Sequence, residues 1–166
     1  MDINEQLFTA LMKKDFAAAT AAIQAGAEIN GRTKLGEGVW SFVTGDTASV
    51  RMALGMDADP NVRDGADRTS LYWAVHQSDP EVAKVLIESG ANVADIESDG
   101  TTLLHWAAMS GFADVLAVLL AVAPGYLLQA RDILDHTALD EAIAAKHETC
   151  VQIIRAELGR RGNKGE

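Results

Sequence analysis

Cysteine, proline, aromatic residues and basic residues are all scarce in this chain of 166 residues. A single cysteine cannot form an internal disulfide, which is typical of a reducing compartment, and we expect the protein to be cytoplasmic. Fourteen basic residues against 24 acidic ones give a net charge of −10, so we expect no nucleic-acid partner, since such partners require a cationic surface. The low proline content and the many alanines favour helices.

Long hydrophobic runs are also missing. The longest, 115–124, has about half the length that a membrane-spanning helix needs, so we expect a buried helix and no membrane association. The chain begins without the basic segment of a secretory signal. At the other end, 159–166 is polar, basic and rich in glycine. We expect it to be a frayed tail beyond a single domain at 1–158, with a basic docking peptide as the alternative.

A short pattern occurs three times along the chain. Residues 69–75 (TSLYWAV) return as 102–108 (TLLHWAA) and again as 137–143 (TALDEAI). After each copy comes a second segment whose apolar residues recur at i, i+3 and i+4, the spacing of one helix face. A glycine follows several of these segments and is typical of a helix end. The pattern therefore predicts that each repeat forms a short helix, a turn, a longer helix and an extended loop.

This unit resembles the ankyrin repeat, most closely at 99–111 (DGTTLLHWAAMSG). With the motif threonine as position one, we place five repeats that begin near residues 5, 36, 69, 102 and 137, the second being the most degenerate. The resemblance covers about 3–158 and implies an all-α fold, an ankyrin-repeat solenoid of stacked helix-turn-helix units with β-turn loop fingers. Charged residues on the first and last repeats indicate an array that is capped at both ends.

Several motif residues are expected to be structural. Thr69, Thr102 and Thr137 stand where they can cap the first helix of each repeat. His105 occupies the motif histidine, which the resemblance implies is hydrogen-bonded to the backbone of a neighbouring loop. Cys150 falls on an apolar position of the last helix, where we expect a buried thiol.

No segment has the spacing of a catalytic, metal or cofactor site. The four histidines form no pair four residues apart, and there is no Cys-x-x-Cys, so we expect neither metal nor cofactor. The serines lack the context of a nucleophile elbow, and the glycine-rich stretch at 36–38 lacks the lysine of a phosphate loop. We therefore expect a protein that is not an enzyme.

The resemblance implies a concave binding face made of loop tips and the exposed side of the first helices. Five of its positions are apolar where exposure is expected: Leu35, Val43, Met109, Ile133 and Leu134. Trp40, Trp73 and Trp106 share position five and form either a packed column between repeats or an aromatic ladder for binding. The other candidate contact residues are Arg32, Arg68, His76, Gln77, Asp99, Thr101 and His136.

The sequence thus predicts a monomeric, noncatalytic scaffold that binds another protein as its inhibitor or regulator. The acidic charge favours a partner with a basic patch. Two alternatives stay open. One is a small-molecule or enzymatic site in the concave groove around His76, His136 and the tryptophans. The other is a self-associating assembly protein that uses the degenerate second repeat or the longer junction before the fifth.

Overall fold

The computed structural model describes residues 2–162, which form ten α-helices in five consecutive pairs. The pairs are α1 (Ile3–Met12) with α2 (Phe16–Gln24), α3 (Val39–Val43) with α4 (Thr47–Gly55), α5 (Ser70–His76) with α6 (Pro80–Glu88), α7 (Leu103–Ser110) with α8 (Ala113–Val122), and α9 (Ala138–Ala144) with α10 (Glu148–Gly162). A 3₁₀ turn, Gly125–Leu128, follows α8. Extended pairing in this range is a single bridge between Ile96 and Thr102. The predicted all-α class is confirmed.

The chain divides into two compact units, Met1–Asn92 with α1 to α6 and Val93–Glu166 with α7 to α10. Within the first unit α3 packs against both α1 and α5, and α4 packs against α6. Within the second unit α7 packs against α9, and α8 packs against α10. A helix pair therefore covers its apolar face with the neighbouring pair, as expected of a repeat that cannot bury that face alone.

Each core combines large aliphatic side chains with alanines. Ala74, Ala107 and Ala142 lie at equivalent positions of α5, α7 and α9 and have no exposed surface, so within each unit they allow neighbouring first helices to approach closely. Leu86 and Leu104 are also fully or almost fully buried. Burying such a leucine contributes about 2 kcal/mol. Along 2–162, no helix is both long enough and apolar enough to cross a lipid bilayer.

Aspartate and threonine side chains define most helix starts. Asp15, Asp46 and Asp79 begin α2, α4 and α6, and each accepts the backbone N–H three residues later at 2.8–2.9 Å. Thr102 and Thr137 cap α7 and α9, as predicted, and each does so within a reciprocal capping box.

The predicted cap at Thr69 is wrong. Its hydroxyl makes no hydrogen bond to the helix it precedes, and Oγ1 is buried without a partner. In the last two repeats the side chain of the third helical residue accepts the N–H of the capping threonine, His105 from Thr102 and Asp140 from Thr137. Tyr72 occupies that place in α5 and offers the threonine no equivalent nitrogen or carboxylate acceptor.

The second repeat begins two residues later than the sequence predicted. Gly38 is the N-cap of α3, so position five belongs to Phe42, whose ring centroid lies 5.5 Å from that of Phe8. Val43 then corresponds to Ala74 and is buried rather than exposed, contrary to the prediction. A glycine N-cap carries no side-chain signal, which explains why the sequence pattern placed Trp40 rather than Phe42 at position five.

Four loops that precede α3, α5, α7 and α9 share one hairpin turn, and we call these loops fingers. They span 33–37, 64–68, 97–101 and 132–136. In each, the first residue donates its N–H to the carbonyl of the fifth at 2.8–3.0 Å, and the fourth residue has a positive φ. At Gly100 a Cβ would stand 2.6 Å from the carbonyl oxygen of Arg131, so only glycine allows these two neighbouring segments to lie so close.

Asparagine side chains link successive repeats of the first unit. Each amide donates its Nδ2–H to a carbonyl about one repeat later and accepts a backbone N–H from the same stretch, at 2.7–3.1 Å. The residues are Asn4, Asn30 and Asn61. The sequence showed the regular spacing of Asn30 and Asn61 but not this cross-linking role, which only the loop geometry reveals.

The last helix continues beyond residue 158, where the sequence predicted the domain to end. Arg161 donates to the carbonyls of Leu120 and Ala123 at 2.8 Å and so caps the C-terminal end of α8. Glu157 holds that guanidinium through an ion pair. Residues 159–162 are thus helical rather than frayed, and the rest of the predicted tail, 163–166, lies outside the described residues.

A matched pair of substitutions tests the capping analysis. Thr69→Val removes an unpartnered buried hydroxyl and keeps the side-chain shape, so we expect it to raise the free energy of unfolding by about 1 kcal/mol. Thr102→Val removes a satisfied cap, and we expect it to lower that free energy by about 1 kcal/mol. Urea unfolding followed by circular dichroism measures both. Equal destabilisation by the two variants would contradict the analysis.

Candidate functional site

Two finger tips expose aliphatic side chains to solvent. Leu35 in finger 33–37 is 85% exposed, and Ile133 and Leu134 in finger 132–136 are 79% and 67% exposed. None of the three contributes to a core, so the fold itself does not explain them. Met109, at the end of α7, is also exposed. The tips therefore carry apolar surface on backbone that is otherwise held by hydrogen bonds.

A cluster of arginine and aromatic side chains stands beside finger 64–68 in the first unit. The Arg68 guanidinium lies 4.3 Å from the centroid of the Trp73 ring, and its Nε donates to the buried carboxylate of Asp64 at 2.9 Å. Trp73 donates its indole N–H to the same carboxylate at 3.3 Å. Tyr72 stacks on His76 with 5.1 Å between centroids. Trp73 is thus anchored by its nitrogen and remains half-exposed.

The residue at position five reaches back to the finger before its helix in each of the last three repeats. Trp73 bonds to Asp64, Trp106 donates its indole N–H to Glu97 at 2.8 Å, and Glu141 bonds to Nδ1 of His136 at 2.9 Å. Trp73 and Trp106 therefore anchor a finger through the indole nitrogen and keep part of the ring exposed.

The predicted column of three tryptophans is wrong at Trp40. Its side chain is 2% exposed, and its indole N–H donates to the carbonyl of Asp59 at 2.9 Å inside the first unit. Trp40 and Val43 are both core residues, because the second repeat is offset by two residues, and neither can contact a partner in this fold.

The other predicted contact residues reach the surface to different degrees. Those up to Gln77 lie in the first unit and those from Asp99 onward in the second. The exposed ones are Arg32, Leu35, His76, Gln77, Asp99, Met109, Ile133 and Leu134. The half-buried ones are Arg68, Trp73, Thr101, Trp106 and His136. Gln77 also donates to the hydroxyl of Thr44 at 3.0 Å, which links two neighbouring repeats.

His105 has the structural role that the resemblance implied. It is 2% exposed, and its Nε2 lies 3.0 Å from the carbonyl oxygen of His136. Its Nδ1 faces the backbone N–H and the hydroxyl of Thr102. Because Nδ1 accepts from the Thr102 amide, Nε2 carries the proton that it donates to finger 132–136. The buried His105 therefore holds finger 132–136 through this hydrogen bond.

Finger 132–136 also carries a cluster of titratable groups. Asp132 Oδ1 accepts the N–H groups of Leu134 and His136, both at 2.9 Å. The hydrogen bond to Glu141 raises the pKa of His136 above its ordinary 6.5, and the charges of Glu141, Asp132 and Asp140 raise it further. Sequence reasoning missed this group, because its members come from a loop and a helix at spacings that belong to no metal or catalytic motif.

A family model described as "Ankyrin repeats (3 copies)" matches residues 39–132, more than half of the chain. The chain belongs to the ankyrin-repeat family. Ankyrin repeats are in general modules for protein interaction without catalytic activity of their own.

Several curated proteins are similar to this ankyrin-repeat protein over part of their length. Human Ankyrin repeat domain-containing protein 63 is 31% identical over 113 residues, which is 67% of this chain and 30% of that protein. Mouse Inversin is 31% identical over 98 residues, 57% of this chain and 9% of Inversin. Palmitoyltransferase AKR1 of Debaryomyces hansenii is 45% identical over 56 residues, 34% of this chain and 7% of the enzyme. The chain matches less than a third of the length of each of these relatives.

Cys150 of this ankyrin-repeat protein has the environment of a packing residue. Its thiol is buried and free, and desolvation by burial raises its pKa. A raised pKa reduces the thiolate fraction that a nucleophile needs. The sequence-based expectation of a small buried hydrophobe is therefore confirmed.

Titration tests the ion pair between His136 of finger 132–136 and Glu141 of α9. We expect the NMR-detected pKa of His136 to lie above 6.5 and to fall in Glu141→Gln, because the variant loses the charged acceptor. Since the folded pKa is raised, the pair stabilises the fold fully below about pH 6.5 and loses this effect as the pH rises through the raised value. An unchanged His136 pKa in the variant would contradict the assignment.

Proposed function

We propose that this ankyrin-repeat protein is a noncatalytic scaffold that binds another protein through its finger tips and the adjoining first helices, as an inhibitor or regulator of that partner. The observation that carries the proposal is the exposure of Ile133 and Leu134 on a finger that hydrogen bonds close into a hairpin. Two large aliphatic side chains held in water are costly for a monomer and useful at an interface.

The second unit holds this finger through several hydrogen bonds. Its ends are joined by the bond between the Asp132 N–H and the His136 carbonyl at 3.0 Å, and Asp132 Oδ1 accepts two further amides. His105 donates to the same carbonyl from the core side. A tip fixed in this way loses little conformational entropy when a partner covers it, so more of the contact energy is retained as affinity.

The first unit offers a second contact region of different chemistry. Arg68, Tyr72 and Trp73 stand together, partly exposed, and these three residue types are enriched among interface residues with large energetic contributions. Leu35 provides an exposed aliphatic tip in the same unit.

The charges around finger 132–136 favour a partner with a basic patch. Asp132, Asp135 and Asp140 flank Ile133 and Leu134 in the sequence of the finger and the first turn of α9. The whole chain carries −10, which attracts a cationic surface at long range and raises the association rate. We infer in addition that the protein acts as a monomer in the cytoplasm, where a lone buried thiol such as Cys150 stays reduced.

Affinity capture with matched variants tests the proposal. The double variant Ile133→Ser with Leu134→Ser removes the exposed tip, and Val122→Ser, at a 51% exposed position on α8, is the control. We expect a captured protein, then purified and titrated against the chain, to bind the double variant at least about tenfold more weakly and the control with unchanged affinity.

Retention of full affinity by the double variant, or an equal loss in the control, would contradict the proposed face. Circular dichroism confirms that both variants fold. Sedimentation of the purified chain tests the self-association alternative, because a mass that rises with concentration would replace the monomeric scaffold by an assembly protein.

A further inference from the structure

We infer that the second unit contains a binding site for a first-row divalent metal ion of the zinc type, formed by Asp132, His136 and Glu141. One oxygen of each carboxylate and a ring nitrogen of the histidine lie within 4.8 Å of one another. Among residues 2–162 no other three His, Cys, Asp or Glu side chains meet in this way. The sequence predicted no metal site, so the inference departs from that expectation and is independent of the proposed protein-binding function.

The distances fit a shared ion after small side-chain movements. Nδ1 of His136 and Oε1 of Glu141 are 2.9 Å apart. Two ligand atoms that each lie about 2.1 Å from one zinc ion, at the tetrahedral angle, are about 3.4 Å apart. The ring nitrogen of His136 and the oxygen of Glu141 therefore need to move apart by about 0.5 Å, while the carboxylate of Asp132 closes toward them.

Hydrogen bonds to the backbone hold the segments that carry the three ligands, and His136 and Glu141 also contact each other. Asp132 is oriented by the amides of Leu134 and His136, which leaves its second oxygen for another partner. The His136 carbonyl is held by His105. Glu141 belongs to the first turn of α9, where its N–H donates to the carbonyl of Thr137 at 3.0 Å. A pre-formed site of this kind requires little reorganisation when an ion enters.

The ligand chemistry selects the class of ion. One imidazole nitrogen with two carboxylate oxygens suits zinc and its first-row neighbours, whereas calcium and magnesium prefer oxygen ligands alone. Two carboxylates and a neutral imidazole balance the charge of a divalent cation. Three protein ligands and a half-exposed histidine leave the remaining positions to water. The ion would replace the hydrogen bond between His136 and Glu141.

Calorimetric titration of the metal-stripped full chain with zinc chloride tests the site. We expect one ion per chain, and affinity at least about tenfold weaker in each of Asp132→Asn, His136→Ala and Glu141→Gln. His76→Ala, which removes an exposed histidine of the first unit, is the control and should bind as the unchanged chain does. Amide NMR shifts on adding zinc should be largest in 132–141.

The inference fails if about 1 mM zinc produces neither heat nor shifts, if His76→Ala weakens binding as much as the ligand variants, or if all three ligand variants keep full affinity. Circular dichroism shows that each variant folds. If His136→Ala does not fold, the two nearly isosteric carboxylate variants decide the question, because they change charge and leave side-chain volume almost unchanged.

Discussion

Burial of one helix pair against the next is the interaction on which this protein depends. A repeat of this kind cannot bury its apolar face alone, and within each unit the first helices pack through alanines such as Ala74 and Ala107. This packing sets the distance between neighbouring loops. At that distance Asn61 can link two loops of the first unit, and His105 can reach the carbonyl of His136 in the second.

The same packing separates residues that hold the fold from residues that are free to bind. The apolar faces of the helices are buried in the two cores. The fingers are closed by their own hairpin hydrogen bonds, so their tips need no core contact. Leu35, Ile133 and Leu134 are exposed for this reason. Position five has both tasks, since Trp73 and Trp106 anchor a finger through the indole nitrogen and keep part of the ring at the surface.

Periodicity predicted the five helix pairs because the same sequence pattern recurs in the segments that begin at Thr69, Thr102 and Thr137. It failed where a glycine begins a helix, so Trp40 and Val43 were expected on the surface and lie in the core. The missed contacts are those between distant residues. Arg161 caps a helix about 40 residues earlier, and Asp132, His136 and Glu141 meet only once the finger has folded onto α9.

Hydrogen exchange measured by mass spectrometry on the chain saturated with a purified protein partner tests the central claim most directly. The claim is that binding uses finger tips and first helices while the second helices only support them. It predicts slower exchange on binding in the fingers, above all 132–136, with little change in α8 and α10. Protection confined to α8 and α10, with the fingers exchanging as in the free chain, would contradict it.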